Sequence, residues 1–410
     1  MLLVGIDWAD DHHDICVINE QGQELKHFQI SNDSEGFLNL LKEVQTLEVE
    51  AKEIAFCLEK SHGLLVDFLL DHGFTVYPIN PKSAERMRDR HASSKKKDDR
   101  FDAFVLADTL RTDRHRLVPL APDSEIAREL RALVQDREHL VQAKTRVVNQ
   151  MTSCLKEYYP VALEIFSTLQ GEIVLTFLKA YSTPEILSHL NFKTFRRFLE
   201  EHHYPWKMVK KTPEELYQEV RSPKWQMKPD PVVQKTKSRL LLALIDQLQT
   251  LMGQVKQYDQ AISELMGQHP DNDIFSSLPG AGEKLGPKLA AHFGEDRKRF
   301  KNFESVQRFA GTAPITQQSG TYRHVQRRIA CQQSFQNTLF QYAFVTLRRC
   351  LWAKKYYQEK RKAGKTHATA LRALANKWAK IIFTLWKNRE RYQEHIFLAS
   401  RQQHALLNAS

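Results

Sequence analysis

The apolar positions of the first 118 residues fall into short runs of strand character that alternate with stretches of helical period. "LLVGIDWA" and "HDICVIN" read as strands, "EQGQ" as the hairpin turn leading to a third strand, "LKHFQI", and "SEGFLNLLKEV" as an amphipathic helix. A further strand, "EIAFCLE", precedes a helix over "LLVDFLLDHG", which Gly73 closes. "FTVYPIN" then leads into a long helix carrying the aspartates of "SKKKDDRFDAFVLADTL". Three strands in meander followed by helix, strand and helix predict a mixed α/β domain with one central sheet.

From about Pro122 the helical period takes over. Ile126, Leu130, Leu133, Leu140, Val147, Met151 and Leu155 mark one long helix, interrupted in its pattern at Arg137 and Lys144. In a second helix, Leu241, Leu244, Leu248, Leu251, Val255, Tyr258, Ile262 and Leu265 alternate steps of three and four, a heptad seam over more than three repeats. Two core helices of one bundle would give this pattern, and so would coiled-coil pairing within or between chains. Residues 160–235 mix helical and Pro-containing stretches. Near Asp271 the heptads stop, "SSLPGAGEKLGPKLAAHFG" begins, and a Ser-containing turn, "FAGTAPITQQSGTY", leads to basic amphipathic helices. The expected division is 1–118, a helical coiled-coil or linker region over 119–270, and a mainly α domain over 271–400.

At 410 residues, 42% of them hydrophobic, the chain is long enough for two or three domains with their own cores. Charge changes the picture more. The net charge is +11, yet between Thr346 and Arg389 there are thirteen Lys or Arg and one acid, Glu359, which leaves the rest about neutral. Such a local field suits a polyanion. The longest apolar runs, such as "LLLALI", fall well short of the roughly 20 residues a bilayer span takes. "MLLVGIDW" lacks the basic flank of a signal peptide, so a cytoplasmic protein without a membrane partner is expected. The five cysteines are scattered and never in a CxxC pair, which argues for small buried hydrophobes over a disulfide framework or zinc site. Trp352, Tyr356, Tyr357, Trp378 and Trp386 are interleaved with the basic residues of the last helices, and most of them are expected in a core.

The acidic residues carry the candidate chemistry. Asp7 and Glu59 each end an apolar strand, which projects a carboxylate from a sheet edge. Asp99 and Asp102 lie three apart, on one helical face, and Asp98 with Asp102 would share a face equally well. Like charges at such spacing repel by a few tenths of a kcal/mol (about 0.2–0.5). A crowd of them predicts positive charge between them. Four hard oxygen ligands suit magnesium or manganese, a pair of which can activate one phosphodiester oxygen and stabilise the one that leaves. Lys95, Lys96, Lys97 and Arg100 would then meet the phosphates.

In that order, "GIDWAD", "LEKSHG" and "KKDDRFDAFVLADTL" resemble the RuvC-like, RNase H-type DEDD domain of one class of bacterial insertion-sequence transposases. That class is related to Piv-type DNA invertases and described as bridge-RNA-guided recombinases. The resemblance implies that Asp7, Glu59, Asp99 and Asp102 are the four catalytic, metal-binding acids, with Asp99 favoured over Asp98 because D-x-x-D followed by Ala is the family spacing. "LPGAGEKLGPKLAAHFGE", "FKNFESVQRFAGTAP", "QQSGTYRHVQRRIA" and "YYQEKRKAGKTHATALRALANKWAKIIFTLWK" are similar to the family's C-terminal domain, in the same order. There a serine before a glycine is the nucleophile, and Ser319 takes that position, although the family usually has more glycine and a second small residue around it.

Physically, a serine beside Gly320 can approach a backbone phosphate closely, but its hydroxyl needs activation. Arg323, His324, Arg327 and Arg328 follow and could hold the phosphate, and Lys365 adds a further phosphate contact. "LPGAGEKLGPKL" reads either as a helix-hairpin-helix turn that meets a phosphate or as a plain αα turn. The resemblance thus implies a Mg2+- or Mn2+-dependent DNA recombinase with a serine-linked intermediate. The resemblance also implies a guide RNA and a homo-oligomer, dimer or tetramer, whose site can be shared between protomers. The alternatives are a RuvC-like nuclease in which water attacks, a phosphotransferase of the actin and sugar-kinase type, and a non-catalytic nucleic-acid scaffold. For the phosphotransferase, Trp8, Asp10, Asp11 and His12 fill the place where small residues must admit ATP.

Overall fold

A computed structural model describes residues 1–60, 63–91, 99–120, 124–166, 168–204, 211–222, 229–320 and 322–395. Five strands open the chain: β1 (Leu2–Trp8), β2 (His12–Ile18), β3 (Glu24–Ser31), β4 (Ile54–Leu58) and β5 (Thr75–Pro78). With them come the helices α1 (Ser34–Gln45), α2 (Leu64–Asp71), α3 (Pro81–His91) and α4 (Asp99–Asp113). The sheet order is β3-β2-β1-β4-β5, with β1, β2 and β3 antiparallel in sequence and β4 and β5 parallel to β1. The mixed sheet anticipated from the alternating pattern is therefore present. The aspartate-bearing helix expected here is present as α4 with α3 before it, and residues 92–98 between them lie outside the described residues.

Alternation along the strands divides the sheet into two faces. Val4, Ile6, Ile15, Val17 and Phe56 pack with Phe37 and Leu40 of α1 and Leu65 and Leu69 of α2. The opposite face is built from smaller side chains: Cys16, Ala55 and Cys57 meet Ala103, Leu106, Ala107 and Leu110 of α4. Gly5 lies on this second face, in register with Cys16 and Cys57. A Cβ there would sit 1.9 Å from the Ala103 carbonyl oxygen and 2.5 Å from the Ala107 nitrogen. Gly5 thus lets α4 lie directly on the strand. Because Asp7 is two residues further along the same face, this close approach also sets how near α4 comes to Asp7. Gly5→Ala is expected to force α4 outward, at a cost of about 1–3 kcal/mol or more. A lowered melting temperature together with weakened divalent-cation binding would be the readout; an unchanged melt would refute the close-packing account.

The described chain forms two compact units. One comprises Met1–Glu125, Asp273–Gly282 and the chain from His292 on; the other comprises Ile126–Asn272 and Glu283–Ala291. In the second unit α5 (Glu125–Tyr158) is followed by the short helices α6 (Val161–Ile165), α7 (Glu172–Ala180), α8 (Pro184–Ser188), α9 (Phe192–Glu201) and α10 (Pro213–Arg221), and then by α11 (Pro231–Gln268). Asp230 caps α11 by accepting from the Val232 and Val233 N–H groups. Met151, Cys154 and Leu155 of α5 share one core with Leu241, Leu244, Ile245 and Leu248 of α11. Arg137, which interrupts the apolar pattern, pairs with Asp259 at 2.5 Å, while Glu157, near the other end of α5, pairs with Lys237. The two helices therefore run antiparallel in one chain. At least part of the heptad seam is covered within the protomer.

After α12 (Asn272–Ser276), α13 (Gly282–Phe293) and α14 (Phe303–Phe309), a hairpin of β6 (Ile315–Ser319) and β7 (Tyr322–Gln326) leads to α15 (Gln333–Arg349), α16 (Leu351–Lys362) and α17 (His367–Asn388). Of the aromatics interleaved with basic residues, Trp352, Trp378 and Trp386 are buried, and the indole N–H groups of Trp378 and Trp386 donate to Thr346 Oγ1 (3.0 Å) and the Gly294 carbonyl (2.8 Å). Helix α17 is thus an amphipathic element whose aromatics form a core and whose cations lie outside it. All five cysteines are free, four buried and Cys331 half-buried. No helix among the described residues is long and apolar enough to cross a membrane.

Candidate active site

Asp7 ends β1 on the face that α4 covers, and Asp99 and Asp102 lie in the first turn of α4. Sheet and helix therefore bring these three carboxylates together: Asp7, Asp99 and Asp102 each have an oxygen within 4.8 Å of the others. Asp102 is buried, Asp7 half-buried and Asp99 exposed. Burial pushes the Asp7 carboxyl up from 3.8 to about 6, and the charges of Asp102, Asp99, Glu59 and Asp14 push in the same direction. Glu59 directly follows β4. Burial also raises its pKa, with the Arg88 charge opposing and that of Asp102 adding. Glu59 thus adds to the local field without belonging to the tight group of three. Asp98 lies outside the described residues.

Sequence reasoning missed Arg88, Asp14 and His12. Arg88 of α3 donates to Asp102 at 2.5 Å, so part of the positive charge called for by the crowded carboxylates is a resident guanidinium. Asp14 sits opposite Asp7 in the β1–β2 ladder and is buried, an arrangement of like charges that costs stability unless compensated. Gln29 donates to both Asp14 oxygens at 3.1 Å, and the His27 and His12 Nε2 atoms lie 3.5 and 3.8 Å from that carboxylate. His12, Asp14 and Asp99 form a second group with ligand atoms within 4.8 Å, so Asp99 is common to both groups. The period-two spacing of His12 and Asp14 in "DHHD" was the available signal, since it places both on the Asp7 face. Nothing comparable marks Arg88.

The first group fits a divalent cation of the magnesium class: its donors are hard oxygens, and their mutual repulsion is what a cation would relieve. A pH dependence follows. From 3.8 to about 6, folded Asp7 keeps a proton that the unfolded chain has released, so this group's contribution to stability falls as pH rises through that window and stays low above it. Cation binding needs the ionised carboxylate and runs the other way. The rise in melting temperature produced by a fixed Mg2+ or Mn2+ concentration should therefore be larger at pH 7.5 than at pH 5.5. Both the rise and its pH dependence should vanish in Asp7→Asn, and a pH-independent rise would refute the assignment.

Ser319 ends β6 and is exposed. Gly320, with φ of 56°, opens the two-residue connection to Tyr322, as tight hairpin turns require. The register pairs Ser319 with Tyr322 and Gln317 with His324, so alternation places Ser319, Tyr322 and His324 on one face of the hairpin. The Tyr322 and His324 rings stack, with centroids 6.2 Å apart. Among the predicted phosphate ligands, Arg100 pairs with Glu24 at 2.5 Å, and Arg327 donates to Gln336 Oε1 at 2.7 Å. Arg327 and Lys365 line one cavity. Arg328 is half-buried; the Arg323 side chain and Lys95, Lys96 and Lys97 lie outside the described residues.

Carboxylates gathered at the end of a mixed sheet, in a chain with a strongly basic helical segment, outline an enzyme acting on nucleic-acid phosphodiesters. Residues 4–160 match a family model of DEDD transposases of the IS110 type, described as "Transposase", and residues 272–358 match the "Transposase IS116/IS110/IS902 family". The chain is 33% identical over 395 residues to the "Mini-circle putative transposase for IS117" of Streptomyces coelicolor, covering 95% of each chain. It is 25% identical over 400 residues to the "Insertion element IS900 uncharacterized 42 kDa protein" of Mycobacterium paratuberculosis, covering 95% of this chain and 96% of that one. It is also 25% identical over 395 residues to the "Insertion element IS116 uncharacterized 44.8 kDa protein" of Streptomyces clavuligerus, covering 94% of each. The chain belongs to the IS116/IS110/IS902 family of transposases, enzymes that cut and rejoin DNA.

Proposed function

We propose that this transposase joins DNA strands through a phosphoserine ester at Ser319, assisted by a Mg2+ site of Asp7, Glu59, Asp99 and Asp102 in an RNase H-like domain over residues 1–118. The observation that carries the reading is the convergence of Asp7, Asp99 and Asp102 within 4.8 Å, with Asp7 held up to about 6. The strand order β3-β2-β1-β4-β5, with three antiparallel strands and two parallel to β1, supports the RNase H-like assignment. When bound, divalent cations would polarise the scissile phosphate and stabilise the departing oxygen. Arg88 fixes the Asp102 carboxylate.

In the joining step the Ser319 Oγ forms a bond to phosphorus while one phosphorus–sugar oxygen bond breaks. His324, on the same hairpin face, takes the hydroxyl proton, and the departing sugar oxygen receives one. The ester keeps the energy of the broken bond, so a second strand can be joined without external supply. Arg323 neutralises the scissile phosphate, and Arg327 and Arg328, beyond the far end of β7, hold backbone phosphates further along the strand. Residues 119–270 serve as the helical spacer and oligomer contact, residues 271–400 as the domain that presents the serine, and a guide RNA selects the DNA.

The test uses end-labelled DNA carrying the element ends. Label that stays with the protein through a denaturing gel supports the reading. Cleavage with no protein-bound label would mean that water attacks and that the protein is a nuclease of the RuvC-like kind.

A further inference from the structure

A cavity of about 640 Å³ opens between the inner end of the β6–β7 hairpin, α14, α16 and α17. Arg327, Lys365, Arg372, Lys377 and Lys380 line it, and no carboxylate does among the described residues. Five cations around one hollow without an acid repel one another, a cost that an anionic occupant removes. Among the described residues the buried Arg372 Nε–H has no hydrogen-bond acceptor, and burial and the Arg327 charge lower the Arg372 pKa from its ordinary value. Arg327 donates to a neutral partner, Gln336, which orients its guanidinium without neutralising it.

The rest of the lining is built for a flat, partly apolar body. Phe303 and Tyr356 contribute rings, and Lys380 lies 4.3 Å from the Phe303 centroid. The floor is fixed by Gln307, which donates to the Asn376 carbonyl at 2.8 Å, and by Thr312, which donates to Asn376 Oδ1 at 2.9 Å. Cations together with aromatic faces are the recognition chemistry of a single strand, whose bases are free to stack. A hollow of this volume lies within the range of about 300–1,000 Å³ typical of small-ligand pockets; it takes one or two nucleotides and not a duplex.

We propose that this pocket is a subsite for single-stranded nucleic acid, with a phosphate between Arg327 and Arg372 and the adjoining sugar and base against Phe303 and Tyr356. It rests on the transposase reading, but not on Ser319 being the nucleophile. The hairpin register places Gln326 at the end opposite Ser319, and Arg327 follows it directly. Four residue steps at roughly 3.4 Å separate Ser319 from Ile315, so the subsite lies about 14 Å along the hairpin from the hydroxyl. It therefore grips the strand away from the scissile phosphate, and the stiff hairpin sets the spacing.

Fluorescence anisotropy on the full chain carrying Ser319→Ala tests this with three labelled probes: a dT 12-mer, an rU 12-mer and a 12-base-pair DNA duplex. Arg372→Gln is expected to weaken binding of one or both single strands about tenfold and to reduce the slope of log K against log salt by about 0.7, the single-strand value per phosphate contact. Duplex affinity should stay within about twofold, and Arg372→Lys should recover part of the loss. The probe that loses affinity identifies the strand as DNA or RNA. Unchanged single-strand binding, or an equal loss on the duplex, would overturn the proposal. If Ser319→Ala still yields protein-bound label while Arg372→Gln releases the single strand, the nucleophile assignment fails and the subsite stands.

Discussion

Ser319→Ala is expected to abolish covalent capture of DNA, with strand joining reduced at least about a thousandfold, because the substitution removes the attacking hydroxyl. The position makes this a clean experiment. Ser319 is exposed at the end of β6, and the substitution keeps the Cβ and the backbone, so stability should change by no more than about 0.5 kcal/mol. The melting curve should overlay that of the wild type. His324→Ala is the companion: it leaves the hydroxyl in place and removes the group sharing its face, so it should slow adduct formation without eliminating it. Strand joining that survives Ser319→Ala would remove the serine from the chemistry.

Neutralising the carboxylate group should be as damaging, through a different signature. Asp102→Asn removes a ligand and also the partner of Arg88, and breaking so buried a pair costs up to about 3–5 kcal/mol, less here because the Arg88 side chain is 36% exposed. Loss of activity in that variant could therefore reflect lost stability. Asp7→Asn separates the two. Its charge is opposed by Asp102, Asp99, Glu59 and Asp14, so the metal-free variant should melt at or above the wild-type temperature. In the wild type, a cation at a hundred times its Kd stabilises by about 2.7 kcal/mol, and that gain should disappear in Asp7→Asn along with strand joining. A variant that loses activity yet keeps the cation-dependent gain would place the metal elsewhere.

How much of this was legible before the fold depends on the range of the interaction. The strands of the five-stranded sheet, the helix packed on Gly5 and the two long helices are written in local period, and each was recovered from it. Asp7 and Glu59 could be picked out because a carboxylate closing an apolar strand is a local anomaly, and Trp378 and Trp386 because an amphipathic helix must bury one side. Arg137 was a defect in a pattern until Asp259, 122 residues away, supplied its counter-charge.

The sequence by itself determined which residues alternate, which faces are apolar and where charge accumulates, since these follow from side-chain chemistry and the fixed periods of strand and helix. Only the tertiary structure decided that Arg88 holds Asp102, that Asp14 stands opposite Asp7, that α5 covers α11 in the same chain, and that Arg327 and Arg372 share a cavity. Those pairings depend on strand register and on how closely elements pack, and both are set by many weak long-range contacts together. A glycine at position 5 signals a close approach; which helix arrives there is known only once the chain has folded.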